Sequence, residues 1–167
     1  QAFQAMYLIG VLDRKAYNYD PDASLDATNV PDALTEVNYI QLGPVQMLTL
    51  PGEVLPELTI GGYDGSMVNA EGYSIIKPDN PNPPDLSLAP SGPYWKDLLT
   101  TDHPWVIGLA NDEIGYIIPP YNFIVHESAP YVFEADGDHY EETNSLGAQT
   151  APLLDDVIQQ MMSWSPE

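Results

Sequence analysis

Glu53 closes the stretch LTLPGE (48–53), where a short apolar run meets Pro51-Gly52 and a carboxylate follows at once. A carboxylate in that place has three uses. It can ligate a metal, move a proton, or cap a helix start, where the helix dipole favours negative charge. Tyr116 ends NDEIGY and Tyr140 lies in HYEETNSLG. A tyrosine near a cation can hold a lowered pKa and serve as ligand or oxyanion donor; otherwise it is a core aromatic with a satisfied hydroxyl. His103, His126 and His139 show no HxxxH pair or other tight ligand spacing. Each sits among Pro, Asp or Glu and reads as a loop residue, with a three-histidine zinc site formally open. Asp20, Asp22 and Asp26 resemble a calcium loop only superficially, because the glycine and closing glutamate of an EF-hand are missing. They read as a solvated acidic loop, and Asp64, Asp79 and Asp85 are similarly ambiguous. Ser66 follows GYDG without the GxSxG frame of a nucleophile elbow.

The elements that must position these groups follow from the apolar pattern. QAFQAMYLIGVL (1–12) reads as the last turns of a helix with Gly10 as its stop. Polar residues 18–35 read as loop. EVNYIQL (36–42) and VQMLTL (45–50) read as strands joined at Gly43-Pro44, which predicts a hairpin on an unusual turn pair. Glu53 is expected to begin a short helix, EVLPEL, with Pro56 in its first turn. Residues 61–97 read as a long Pro/Gly-rich insert loop. WVIGLA (105–110) is a continuous apolar run, which predicts a central, buried strand. Residues 121–140 are rich in aromatics. From about Pro152 to Trp164, a stripe of Leu153, Leu154, Val157, Ile158, Met161 and Met162 predicts an amphipathic helix. The expected fold class is α+β: a mixed sheet from 36–42, 45–50 and 105–118, with helices at both ends, in a single domain over 1–167.

Composition narrows the partners. The 167 residues suffice for a domain with its own core. Twenty-five Asp and Glu face four bases, Arg14, Lys15, Lys77 and Lys96, for a net charge of −21. That charge repels nucleic acid and anionic membranes. It suits a secreted protein, a salty habitat or a cation binder. There is no cysteine, so disulfides, Cys-zinc sites and thiol catalysis are excluded. No apolar run is long enough for a transmembrane helix. Opening on Gln1 without a signal pattern predicts a mature chain, a processed subunit or an excised piece.

Three segments then line up in order: TLPGE (49–53), IGLANDEIGY (107–116) and HYEETNSLG (139–147), followed by the C-terminal helix. Together they resemble the C-terminal part of the catalytic domain of the neutral/alkaline (non-lysosomal) ceramidase family, closer to its bacterial ceramidase-like members. In that family a PGE closes a strand and its Glu ligates zinc. A GxxNxxxxY segment supplies a tyrosine at the zinc, and a YE…S…G segment supplies a second active-site tyrosine. The resemblance covers residues 36–162. It implies that Glu53 is a zinc ligand, that Tyr116 sits at the zinc as ligand and catalytic group, and that Tyr140 contacts the scissile amide or its oxyanion.

The chain also departs from the family pattern. No histidine precedes Glu53, and VLPELTIGG stands where ceramidases carry a basic GRRLR-like run. The resemblance therefore implies an incomplete domain whose zinc-ligating histidines come from an upstream segment or a companion chain. The expected function is a C-terminal fragment or processed subunit of a secreted zinc-dependent amidohydrolase, inactive alone, acting on a lipid amide or other amide. A second expectation is a non-catalytic extracellular assembly protein with an acidic surface that could be bridged by calcium.

Overall fold

The computed structural model describes residues 15–24, 28–29, 31–61 and 76–164. The expected N-terminal helix over 1–12 lies outside the described residues, as do Asp26, Asp64 and Ser66. The chain divides into two units, 1–36 and 37–167.

In the first unit β1 (Ala16–Tyr17) pairs antiparallel with β2 (Asp32–Ala33). The loop between them is held by its own side chains. Asn29 donates to the Asp20 carbonyl at 2.9 Å and accepts from the Asp20 amide at 2.8 Å, and Asp20 Oδ1 accepts from the Asp22 amide at 3.0 Å. Asp20 therefore shapes a turn, the ordinary use of Asp and Asn in loops.

The second unit is α+β. The strand β3 (Asn38–Leu42) and β4 (Val45–Thr49) form the expected hairpin, in register from Asn38↔Thr49 to Leu42↔Val45. Gly43 makes the turn possible at φ +58, a left-handed conformation that glycine adopts without steric penalty. Next come β5 (Glu53–Val54) and the single-turn helix α1 (Pro56–Thr59). Glu53 therefore does not start the helix. Leu55 is the N-cap and Pro56 holds the first helical position, where its missing N–H costs nothing. The described part of the proline-rich stretch, 76–94, carries neither strand nor helix, and a 3-10 turn follows at Trp95–Leu98.

The next strand, β6 (His103–Ile107), pairs parallel with β4, giving the order β3-β4-β6. The apolar run thus does not make a central strand. Among the described residues β6 is an edge and β4 is the centre, and Trp105 on β6 is 56% exposed. Pro104 accounts for the placement, since proline cannot donate to a second ladder and is confined to edges. Beyond it lie β7 (Tyr116–Ile117), α2 (Tyr140–Thr143) and α3 (Thr150–Ser163).

The core lies where β4, the 3-10 turn, β7 and α3 meet. It comprises Leu48, Leu50, Trp95, Leu99, Ile117, Ala151, Leu154 and Ile158. The α3 stripe is narrower than the sequence suggests. Ala151, Leu154 and Ile158 are buried, with Met161 and Met162 packed against the core, while Leu153 and Val157 face outward. Adjacent positions on a helix diverge by 100°, so a single docking face takes the 151/154/158 row and leaves 153/157 outside. Trp95 Nε1 donates to Asp155 at 2.8 Å and locks α3 onto the turn.

Candidate functional site

The segments carrying Glu53, Tyr116 and Tyr140 are far apart in sequence and are stitched together through their backbones. The chain leaving β4 runs between the two limbs of the 107–117 segment. Leu50 N donates to Ile107 O at 2.9 Å, Ala110 N to Leu50 O at 3.1 Å, and Leu109 N to Gly52 O at 3.0 Å. On the other limb Ile114 N donates to Pro51 O at 2.9 Å, Glu53 N to Gly115 O at 3.1 Å, and Leu55 N to Ile117 O at 3.2 Å. Asn111 adds a side-chain bond to Thr49 O at 3.3 Å. The third segment joins when Tyr116 N donates to Asn144 O at 3.2 Å.

Glycines make this approach possible. A Cβ on Gly52 would collide with the Gly115 carbonyl, and a Cβ on Gly115 would collide with the Asn144 carbonyl. Gly115 also sits at φ +85, where side chains are strained. The glycines of PGE and of IGY thus let three backbones touch.

The result places the three predicted side chains together. Glu53 and Tyr116 are register partners on the parallel pair β5-β7, so their side chains leave the same face. The rings of Tyr116 and Tyr140 meet edge to face with centroids 5.8 Å apart. Glu53 is exposed, Tyr116 half-buried and Tyr140 53% exposed, so the cluster opens outward. Burial raises the Tyr116 pKa above the usual phenol range, and the negative charge of Glu53 and the neighbouring Tyr140 and Glu141 raise it further. The lowered pKa open to a tyrosine beside a cation is therefore not what this chain alone creates, because its neighbours are acidic.

The carboxylate and the phenol are oxygen donors on neighbouring strands, and a cation is the chemistry such a pair fits. Two oxygen donors are half of a tetrahedral zinc shell. Among the described residues no group of three or more His, Asp or Glu could hold a metal ion, so a zinc site here needs donors from elsewhere. No basic side chain forms an ion pair with Glu53 among the described residues.

The histidines do other things. His103 is the exposed first residue of β6. The Nδ1 of His126 accepts from the Ala129 amide at 3.2 Å within its own loop. His139 is not the ordinary loop histidine its neighbours suggest. It is buried as the residue before α2, with Nδ1 2.8 Å from Glu142 Oε1 and 3.2 Å from the Asn82 amide nitrogen. Sequence reasoning missed this pair, although a His and a Glu three residues apart at a helix start is a spacing at which side chains meet. Asp85 Oδ1 accepts from the Ser87 amide and hydroxyl at 3.0 and 2.6 Å, which makes it a turn residue.

No protein-family model, curated protein or solved structure matches this chain. No helix among the described residues is long and apolar enough to cross a membrane.

Proposed function

We propose that this chain contributes part of the active site of a secreted zinc-dependent amide hydrolase resembling the neutral ceramidases. The observation that carries the reading is the convergence of Glu53, Tyr116 and Tyr140 from three separate segments onto one open face. In this reading Glu53 and Tyr116 are the two zinc donors of the chain, and histidines of a further segment or chain complete the shell. Zinc so held supplies Lewis acidity toward an amide carbonyl. Glu53 stands beside Tyr116 in register, and the ring of Tyr116 holds Tyr140 at the open rim. There the Tyr140 hydroxyl is placed to donate to the oxygen that becomes negative as the amide is attacked, the group whose stabilisation contributes most in such reactions. The chain by itself is inactive. In the complete protein, Glu53→Ala is expected to abolish both zinc retention and hydrolysis; a variant that keeps its zinc and its activity overturns the reading.

A second reading has its own observation. Ile124, Val132 and Phe133 are large, apolar and exposed within the aromatic 121–140 segment. Such side chains suit a non-catalytic extracellular assembly protein whose acidic surface calcium could bridge. Stoichiometric zinc together with loss of activity in Glu53→Ala decides against it; calcium-dependent self-association without zinc decides for it.

A further inference from the structure

Glu57 and Glu142 are both buried, and they differ. Glu142 is paired with His139, and its second oxygen is sealed from solvent. Glu57, on α1, is 6% exposed, and no other described residue hydrogen-bonds its carboxyl; yet that carboxyl is not sealed. Its remaining accessible surface gives onto the two cavities the residue borders. The larger holds about 440 Å³. Pro90, Pro93, Pro119, Pro120 and Pro152 line it, with Leu58 beside Glu57. Proline fixes its own backbone φ, so such a wall keeps its shape.

The surroundings set the chemistry. No basic residue lines either cavity. A carboxylate taken from water without a counter-charge is costly, so burial favours the neutral acid and raises the Glu57 pKa. A neutral carboxyl presents an O–H donor and a carbonyl acceptor side by side, and a primary carboxamide presents the reverse pair. An anion finds no counter-charge here. A cation must first ionise Glu57 against its burial. Asp155, the other acid on the wall, is already engaged by Trp95 Nε1 at 2.8 Å. The proline wall suits a hydrocarbon body behind the polar group.

We propose that this cavity binds a small uncharged carboxamide, its amide on the Glu57 carboxyl and its hydrocarbon body on the proline wall. The site shares no residue with Glu53, Tyr116 and Tyr140, goes beyond the zinc reading and does not depend on it.

The test is calorimetric titration of the full chain, without added zinc, with three probes of one skeleton: cyclohexanecarboxamide, cyclohexanecarboxylate and cyclohexylmethylammonium. The expected result is saturable one-to-one binding of the amide, about tenfold or more tighter than either ion, the worth of one hydrogen bond. Gln159 is exposed on α3 and lines this cavity but not the smaller one, so Gln159→Trp is expected to block the amide. A pH series adds a readout specific to Glu57. Affinity should fall about tenfold from pH 5 to pH 8 as the folded carboxyl loses its proton. The other titratable groups around Glu57 are Asp155, Tyr94 and Tyr121 in this cavity, and Asp138, Glu141 and Glu142 in the neighbouring one. Glu57→Gln keeps a donor and an acceptor and removes only the titration of Glu57, so it should bind the amide equally well at both pH values. Absence of amide binding, equal or tighter binding of either ion, unchanged affinity in Gln159→Trp, or a Glu57→Gln variant as pH-dependent as the parent overturns the assignment. Because zinc is absent throughout, these results are independent of the Glu53→Ala experiment.

Discussion

Glu53 and Tyr116 face each other because the backbone register of β5 and β7 makes them partners, and Tyr140 joins through its ring. If Tyr140 is the oxyanion donor, Tyr140→Phe in the complete hydrolase lowers kcat about a hundredfold with zinc content unchanged. A drop in zinc content instead would make Tyr140 part of the metal shell. Glu57 offers a test on the chain alone. Burial raises its pKa in the folded state. Below about pH 4.3, where an unfolded glutamate still holds its proton, the neutral side chain is carried at full stability. As the pH rises past that value the unfolded chain ionises first, and stability falls until the folded carboxyl ionises too. Glu57→Gln should therefore gain stability over the parent between pH 4 and pH 7, measured by urea unfolding; a pH-independent difference contradicts this. The sequence made the site legible to the extent that PGE, NDEIGY and HYEE flagged Glu53, Tyr116 and Tyr140. It did not reveal the His139–Glu142 pair, because a histidine between Asp138 and Tyr140 looks like a surface loop until the turn before α2 buries it.

Short elements held by backbone contact, rather than long regular ones, position the site. The two residues of β5 and the two of β7 have little stability of their own. Gly115→Ala adds left-handed strain and a collision with the Asn144 carbonyl, and is expected to cost about 3 kcal/mol or more in urea unfolding. A cost below 1 kcal/mol would mean that the three-backbone junction is looser than described. Ile158 anchors α3 in the core, and Ile158→Ala should cost about 2–5 kcal/mol. Alternation and the Gly43-Pro44 break made the β3-β4 hairpin readable, and the 3.6-residue period did the same for α3. The helix expected at Glu53 failed because Pro56, not the carboxylate, sets its start. The central strand expected at WVIGLA failed because an apolar run reports burial only when its partners are known, and β6, with Pro104 in it, is an edge among the described residues.

A net charge of −21 governs the molecule as a whole. Like charges in a compact state repel over about 10 Å at 0.1 M salt, and that range shrinks as salt is added. The melting temperature should therefore rise, by about 5 °C, between low salt and 1 M sodium chloride. A flat or falling profile would show that the acidic groups are already compensated. The α+β class was legible from the apolar pattern, but the ligand count of the site was not, because it is a property of how segments meet in space.

The most direct test of the zinc reading is native mass spectrometry of the protein as isolated from its source, with metal analysis on the same sample. The expected result is a complex that contains this chain, a histidine-bearing segment or companion chain, and about one zinc. A homo-oligomer or lone chain without zinc would contradict it and leave Glu53, Tyr116 and Tyr140 as scaffold.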